Sequence, residues 1–311
     1  MSLEVSILGL SLALIASACW AAFDVVRKRV GEQTRATSAL AMLNLWQVFA
    51  LSPLLMTGAL ISPERSSTFL PPLPTLTWDY SWMIGASFTI NIIANFMFLR
   101  AVQISPLSLT TPYLSFTPVF TALLALLVYG EVPGAWGWAG IAIVVSGAFF
   151  LNRKQGARGL LAPLLALKEE RGSLYMLGVS VMWSVTPLLD KGGSERVGPI
   201  WHTFILAALL ALTFFAWLGF KDGSAAKIID EWRARRAWIV AGGFVSGGAM
   251  VCQFASYVWM DIAVVETIKR AVGVTVAMLA GYFLFGERDI GRRGFAASVM
   301  VVGVAMILFT R

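Results

Sequence analysis

The chain has 311 residues, of which 58% are hydrophobic and 13% are charged, and its formal net charge is +7. Soluble domains carry about 25% charged residues, so this composition excludes a soluble globular protein and indicates a polytopic membrane protein. The basic residues lie in short loops between apolar runs, which is the pattern that orients membrane proteins and which argues against a nucleic-acid partner.

Ten apolar segments are long enough, at about 20 residues each, to cross a membrane as helices. In chain order they are residues 4–26, 37–60, 80–100, 107–130, 135–152, 173–190, 198–220, 237–259, 263–285 and 293–310. The fold is therefore predicted to be an all-α polytopic membrane protein with ten transmembrane helices. Three connections are longer: residues 61–79 are rich in proline, serine and threonine, and residues 153–171 and 221–236 are charged and include stretches suited to short interfacial helices.

Two pairs of similar segments indicate that the chain repeats itself. The sequence SACWAAFDVVRK at 17–28 is similar to SVMWSVTPLLDK at 180–191, and LLALLVYGE at 123–131 is similar to LAGYFLFGE at 279–287. The matches keep the same order and a nearly constant offset, which favours an internal duplication over a chance likeness between apolar sequences.

The duplication divides the chain into a first repeat at 1–152, a charged linker at 153–171 and a second repeat at 172–311. Each repeat has five predicted helices, and because five is odd the second repeat must enter the membrane from the opposite side. Inverted repeats are common in secondary transporters, where the substrate site lies between them near the midplane. Most of the 24 lysines and arginines lie on the face reached after the first helix, so we predict that this face is cytoplasmic and that both termini are not.

The ninth segment carries three charges within two helical turns, in the sequence VVETIKRAVGV at 264–274. A charge at the bilayer centre costs about 2.5–3.5 kcal/mol or more and is functional by default. Glu266 lies three and four residues before Lys269 and Arg270, a spacing that allows ion pairs on a helix. Because adjacent residues point about 100° apart, we expect one cation to pair with Glu266 and the other to face a cavity. The three residues form an anion site, a gate or a buried structural ion pair, and Glu266 is also a candidate carrier of a coupling proton.

The fourth segment offers hydroxyl groups at the equivalent place in the first repeat. Thr110, Thr111 and Tyr113 lie beside Pro112, which frees a backbone carbonyl that a ligand can use. Close packing between helices explains the same threonines equally well.

Several other residues of the predicted helices are candidates for the same site. The amides of Asn95 and Gln253 suit either a ligand or a hydrogen bond between helices. Two interpretations remain open for the rings of Trp20, Trp183 and Tyr257: they form the aromatic walls of a cavity, or they simply pack against lipid.

Charges near the predicted ends of the first and sixth helices have a simpler interpretation. Asp24 and Lys28, like Asp190 and Lys191, are expected to reach the membrane surface and to anchor their helices. His202, near the start of the seventh helix, is a candidate proton carrier, but a single histidine is more often an interfacial polar residue.

The family resemblance rests on a tryptophan in the first helix of each repeat, on SFTPVFTALLALLVYGEVPGAWGWAGIAIVVSGAF at 115–149, and on its echo GYFLFGERDIGRRGFAASVMVVGVAMI at 281–307. With ten helices in two repeats, the chain resembles the EamA-type branch of the drug/metabolite transporter superfamily. The resemblance implies a central cavity lined by helices one to four and six to nine, the fifth and tenth helices as peripheral supports, and alternating access by rocking of the repeats. The second repeat departs from the pattern, with Val274 where the first has Pro118.

The adjacent Lys269 and Arg270 are also similar to the Lys-Arg pair of the plastid phosphate translocators in this superfamily, which implies that they are anion ligands. The chain has no GxxxxGK[ST] loop for ATP and no catalytic constellation, so we predict that it is not an enzyme. With one histidine and two cysteines it cannot build the usual zinc site, and no metal or other cofactor is predicted.

We therefore predict a secondary-active transporter of a small anionic or zwitterionic metabolite, such as an organic acid, a phosphorylated metabolite or an amino acid. We also predict that transport is coupled to a proton or a counter-substrate. The protein is predicted to lie in the bacterial inner membrane as a monomer or a homodimer. The alternative is an exporter of neutral amino acids or cationic drugs in which Lys269 and Arg270 form a gate. A lipid-handling membrane enzyme or a flippase accessory is a weaker hypothesis.

Overall fold

The computed structural model describes residues 3–60, 74–106, 110–130, 134–151, 171–221 and 225–285, together with residues 295, 298, 299, 302, 303 and 306. Within these residues every regular element is a helix, as predicted. They are α1 (Leu3–Gly31), α2 (Ala36–Leu60), α3 (Trp78–Ile104), α4 (Thr117–Tyr129), α5 (Ala135–Leu151), α6 (Arg171–Val197), α7 (Pro199–Lys221), α8 (Ala225–Ser256) and α9 (Ile262–Phe285), with a 3₁₀ helix at Thr111–Phe116 before α4.

In the described part of the chain, six helices are long and apolar enough to cross a membrane, namely α1, α2, α3, α6, α7 and α8. The shorter helices α4 and α5 are also apolar, and α9 has 24 residues but carries the three charges. The tenth predicted helix, 293–310, lies mostly outside the described residues, and the few that are described there are helical.

Two differences from the predicted boundaries bear on function. Helices α1 and α6 continue to Gly31 and Val197, so residues expected near helix ends at 26 and 190 lie inside helices. The single helix predicted over 107–130 is wrong in its first half. Because Pro118 has no N–H to donate, the carbonyl of Leu114 accepts instead from Thr117, and the chain forms a 3₁₀ helix there before α4 begins.

The helices of the two halves pack in matching pairs. Helix α1 packs against α8 and α9, and its equivalent in the second half, α6, packs against α3 and α4. Helix α2 packs against α7, its own equivalent, and against α8, just as α7 packs against α3. The described contacts are therefore related by a pseudo-two-fold exchange of the halves, which places the interface between them at the centre of the bundle.

The charged segment before the membrane-spanning part of α8 docks on the loop after α1. Helix α8 breaks at Arg235, whose φ of −133° and ψ of 18° are not helical. The residues before this break form a short helix, as predicted for the charged segment 221–236. Glu231 accepts hydrogen bonds from the backbone N–H (3.0 Å), Nε (2.9 Å) and Nη2 (3.2 Å) of Arg35, and Trp232 stacks on Trp46 at 5.6 Å.

Small residues let helices of the two halves approach closely. A Cβ atom at Gly243 of α8 would lie 2.4 Å from the Cβ of Trp46 on α2 and 2.5 Å from its carbonyl carbon. A Cβ at Gly303 would lie 2.8 Å from the carbonyl oxygen of Gly140 in α5. Gly303 therefore lies close against α5.

Gly243→Ala is expected to lower the apparent Tm of the purified protein, because a rigid backbone must move and overpacking costs about 1–3 kcal/mol. The matched change Gly248→Ala lies in the same helix, where an added Cβ would have no neighbour within 4 Å. It should leave the Tm unchanged or raise it slightly, since alanine favours helix by up to about 1 kcal/mol. Equal Tm values for the two variants would contradict the close approach of α8 to α2.

Candidate functional site

A cavity of about 1050 Å³, including the space at its mouth, lies between the two halves. Its described lining comes from α1, α2, α3 and from α6 to α9, with Leu114 of the 3₁₀ helix. The polar and charged side chains in that lining are Asp24, Arg27, Asn44, Gln47, Asn91, Asn95, Thr186, Asp190, Ser246, Gln253, Lys269 and Arg270, and its aromatic ones are Trp20, Phe23, Trp183 and Phe254.

Glu266 lies directly behind this lining, completely buried, and both neighbouring cations contact it. Its Oε1 accepts from Lys269 Nζ at 2.6 Å, and its Oε2 lies 3.6 Å from Arg270 Nη2. Both cations also line the cavity. The expectation that only one of them pairs with Glu266 is therefore wrong. Each side chain is long enough to contact the carboxylate of Glu266 and to line the cavity at the same time.

Three side chains hold Glu266 in place. Gln253 Nε2 donates to Glu266 Oε1 at 2.9 Å, and the Tyr257 hydroxyl donates to the same oxygen at 3.0 Å. The indole N–H of Trp20 donates to Gln253 Oε1 at 2.5 Å. Tyr257 is 3% exposed and does not line the cavity, so it neither forms an aromatic wall of the cavity nor packs against lipid, the two interpretations that the sequence left open.

The aromatic wall is formed by the tryptophans that the two repeats share. Lys269 Nζ lies 5.7 Å from the ring centre of Trp20, and the Arg270 guanidinium lies 5.7 Å from that of Trp183. A cation over an aromatic face gains about 0.5–2 kcal/mol. The rings therefore stabilise the cations and limit where they can point.

Arg27 is a third cation of the cavity and lies inside α1, one residue beyond the predicted end of the first helix. It is 3% exposed, and its guanidinium lies 4.3 Å from the ring of Phe23 and 4.4 Å from that of Phe98. Its Nη2 donates to Asn95 Oδ1 at 3.1 Å, and its Nη1 lies 3.7 Å from Asp24. We call Arg27, Lys269 and Arg270 the cationic cluster.

The prediction that Asp24 and Asp190 anchor their helices at the membrane surface is also wrong. Asp24 pairs with Arg27, three residues on along α1. Asp190 is 5% exposed and contacts Ser87 of α3 and His202 of α7, which is itself completely buried. The sequence repeat could have indicated this position for both charges. In the repeat alignment Arg27 of the first half matches Asp190 of the second, so both lie at the same place in related helices.

The hydroxyl groups predicted around Pro112 lie elsewhere. Tyr113 is 6% exposed and packs in the hydrophobic core, and Thr110 is buried with its hydroxyl 3.2 Å from the carbonyl oxygen of Pro106. Neither is among the residues that line the cavity. Thr111 begins the 3₁₀ helix, and its side chain lies outside the described residues. The 3₁₀ turn changes the direction of these side chains, and Leu114 faces the cavity instead.

The fold and the cavity define an all-helical membrane protein with two repeated halves around a central polar chamber. The model of the EamA-like transporter family matches residues 7–153 and again residues 170–309. The chain therefore belongs to the EamA-like transporter family, of the drug/metabolite transporter type, and is a membrane transporter.

Comparison with solved structures supports the fold. A structure named only "Crystal structure of protein" is 15% identical, with a TM-score of 0.65 over 100% of this chain and 98% of the other. No curated protein sequence matches the chain.

Glu266→Gln is expected to lower the apparent Tm strongly, because removing one partner of a buried ion pair costs about 3–5 kcal/mol. Adding Lys269→Met should recover part of the loss, since it removes the uncompensated cation. The matched control is Glu32→Gln, because Glu32 also contacts two cations, Arg29 at 3.6 Å and Arg235 at 3.1 Å, but is 32% exposed. Exposed ion pairs contribute about 0–1 kcal/mol, so a Tm loss in the control as large as in Glu266→Gln would contradict the buried network.

Proposed function

We propose that this chain is a secondary-active transporter that moves a small anionic or zwitterionic metabolite through the central cavity by alternating access. The observation that supports the proposal most directly is the cationic cluster. Arg27, Lys269 and Arg270 line one cavity, and among the described residues two carboxylates, Asp24 and Glu266, contact them. The cluster with these two partners keeps one positive charge for a ligand to neutralise, while Asp190, which also lines the cavity, bonds to Ser87 and His202 instead.

The hydrogen-bonding capacity of the cluster supports the same class of ligand. Among the described residues, Nε and Nη1 of Arg27 and Nε of Arg270 are buried without a hydrogen-bond partner. A buried donor without a partner costs about 1–3 kcal/mol, more when charged. A carboxylate or phosphate accepts two parallel hydrogen bonds from a guanidinium, and would satisfy these donors while the tryptophans enclose its apolar part.

The packing symmetry supports alternating access between two inverted repeats, at 1–152 and 172–311, each with five membrane-spanning helices. If the halves face each other through equivalent contacts, rocking one against the other opens the cavity alternately at its two ends. The energy then comes from a proton or counter-substrate gradient.

A second candidate is favoured by the ion pairs themselves. Because both Lys269 and Arg270 contact Glu266, they also suit a gate in an exporter of neutral amino acids or cationic drugs. The two candidates differ in what binds: the gate needs no anion, and its substrates should still bind when the cations are replaced.

The anion site predicts which compounds stabilise the purified protein. Among malate, phosphoenolpyruvate, glutamate, leucine and tetramethylammonium, we expect the anionic compounds to give the largest shifts in Tm. Arg27→Gln and Lys269→Gln should each weaken that binding about ten- to a hundredfold, because a hydrogen bond to a charged group is worth about 1.5–3 kcal/mol. Uptake of the same radiolabelled compound into proteoliposomes should fall in parallel.

The matched control for this test is Lys191→Gln. Lys191 also lies over an aromatic ring, 4.9 Å from the centre of Tyr129, but does not line the cavity. Binding that survives in the two cavity variants, or preferential binding of leucine or tetramethylammonium, would refute the anion site and favour the gate.

We further propose that the protein resides in the bacterial inner membrane, as a monomer or homodimer, with both termini outside the cytoplasm. The basic residues after α1 and before α8 support this orientation. A phosphatase reporter, active only outside the cytoplasm, should be active when fused to the C-terminus, and a green fluorescent protein fusion there should be dark. The opposite pattern would reverse the proposed orientation.

A further inference from the structure

A second polar cluster lies on the cavity, apart from the cationic cluster. Imidazole Nε2 of His202 lies 3.1 Å from Asp190 Oδ1, and Nδ1 lies 3.3 Å from the hydroxyl of Tyr80. The hydroxyl of Ser87 donates to the same Asp190 oxygen at 2.5 Å. We call Tyr80, Ser87, Asp190 and His202 the histidine cluster. All four are at least nine-tenths buried, and Asp190 alone lines the cavity.

The two clusters lie at different depths. Asp190 bonds to Ser87 on α3, and Arg27 bonds to Asn95, eight residues further along the same helix. At 1.5 Å per residue this separates the two contacts by about 12 Å along α3. An amino acid, whose charges are two bonds apart, cannot bridge Arg27 and Asp190.

The histidine cluster can gain a proton without moving its heavy atoms. In neutral His202, Nδ1–H donates to the Tyr80 hydroxyl oxygen, and Nε2 faces Asp190 without a hydrogen. A proton that arrives through Asp190 binds Nε2, which then donates to Asp190 Oδ1. The backbone holds the ring in place, since a Cβ at Gly193 would lie 2.5 Å from Cε1 of His202.

We propose that Asp190 and His202 form a proton-binding site through which a proton is carried together with an anion. The idea rests on the transport function proposed above and specifies its coupling ion. The proton comes from water in the cavity through Asp190, settles on the imidazole, and leaves by the same route when the cavity opens to the other side. No bond other than that to the proton is made or broken.

Electrostatics link the proton to the anion. Ionised Asp190 repels an anion held by the cationic cluster, and a proton on His202 cancels that charge. For charges about 12 Å apart at an effective dielectric constant of about 20, the interaction changes affinity about tenfold. Linkage is reciprocal, so a bound anion must favour protonation by the same factor.

Other ionisable groups around the cluster are already engaged. On α6, Lys191 lies over the ring of Tyr129 and Arg196 donates to the carbonyl of Gly192 at 2.7 Å. On α8, Phe254 separates His202 from Tyr257, which bonds to Glu266. On α9, Lys269 lines the same cavity and pairs with Glu266. Asp190 is therefore the carboxylate in contact with the imidazole among the described residues.

The chain has a single histidine, which makes the first test direct. In full-length protein labelled with ¹³C-histidine, the one imidazole signal should change reversibly when the pH is varied between 5 and 8. Asp190→Asn should alter that change, because the carboxylate in contact with the imidazole is lost. Glu32→Gln, a carboxylate at the other end of the bundle, should leave the signal unchanged. A signal that is constant over this range, or unaffected by Asp190→Asn, would overturn the proton site.

The second test measures the linkage, with malate or glutamate as the probe because their carboxylates stay ionised between pH 6 and pH 8. Wild-type protein should bind the probe up to about tenfold more tightly at pH 6. Asp190→Asn should bind it tightly at both pH values, because asparagine imitates the neutral state, and His202→Gln should bind it weakly at both. A merely structural role would not produce these opposite effects.

Transport separates this inference from the function on which it rests. An imposed pH gradient should drive accumulation of the bound probe in wild-type proteoliposomes, and His202→Gln should lose this accumulation while still exchanging labelled for unlabelled probe. If His202→Gln accumulates the probe as well as wild-type protein does, the proton site is overturned and the proposed transport function stands. If wild-type protein binds none of the panel, the transport function fails, and the imidazole titration alone decides whether protons bind here.

Discussion

The cost of placing charge inside a membrane is the constraint on which the rest of this structure depends. Glu266, Lys269 and Arg270 lie in the first half of the otherwise apolar helix α9, where none of them would be stable alone. The carboxylate compensates both cations at once, and Gln253, Tyr257 and Trp20 fix its position. Buried ion pairs add little net stability over apolar residues, so packing alone gives no reason to keep this network. Under the proposed function, its value is the positive charge that it places at the cavity wall.

Compensation is incomplete on the side that faces the cavity. Glu266 Oε2 has an ion-pair contact with Arg270 but no hydrogen bond, and Nε of Arg270 has no partner among the described residues. Arg27 is in the same condition, with aromatic rings on its faces and Asp24 at 3.7 Å. Guanidinium groups held by rings and distant carboxylates are oriented without being saturated. They can exchange a weak contact for a ligand without first breaking a strong one.

The general plan of the chain was predictable from sequence because it depends on hydrophobic length and on repetition. Nine of the predicted helices have counterparts among the described residues, and the Glu266 group was recognised because charges in an apolar run are conspicuous. Arg27 and Asp190 were misjudged because helix ends cannot be located closely from hydropathy. The first and sixth helices were predicted to end at residues 26 and 190, but they continue to Gly31 and Val197. Tyr113 and Thr110 were misplaced because the consequence of two prolines for side-chain direction depends on tertiary packing.

The clearest departure from symmetry occurs at two equivalent positions, which hold Arg27 in the first repeat and Asp190 in the second. Both follow the shared tryptophan of their repeat by seven residues, and both line the cavity. A faithful duplication would place the same charge at both positions, and two arginines or two aspartates would repel a ligand of one sign along the whole path. Opposite charges polarise the chamber instead. If His202 binds a proton as proposed, that proton reduces the polarity, and the electrostatic profile along the path differs between the loaded and the empty states of the same scaffold.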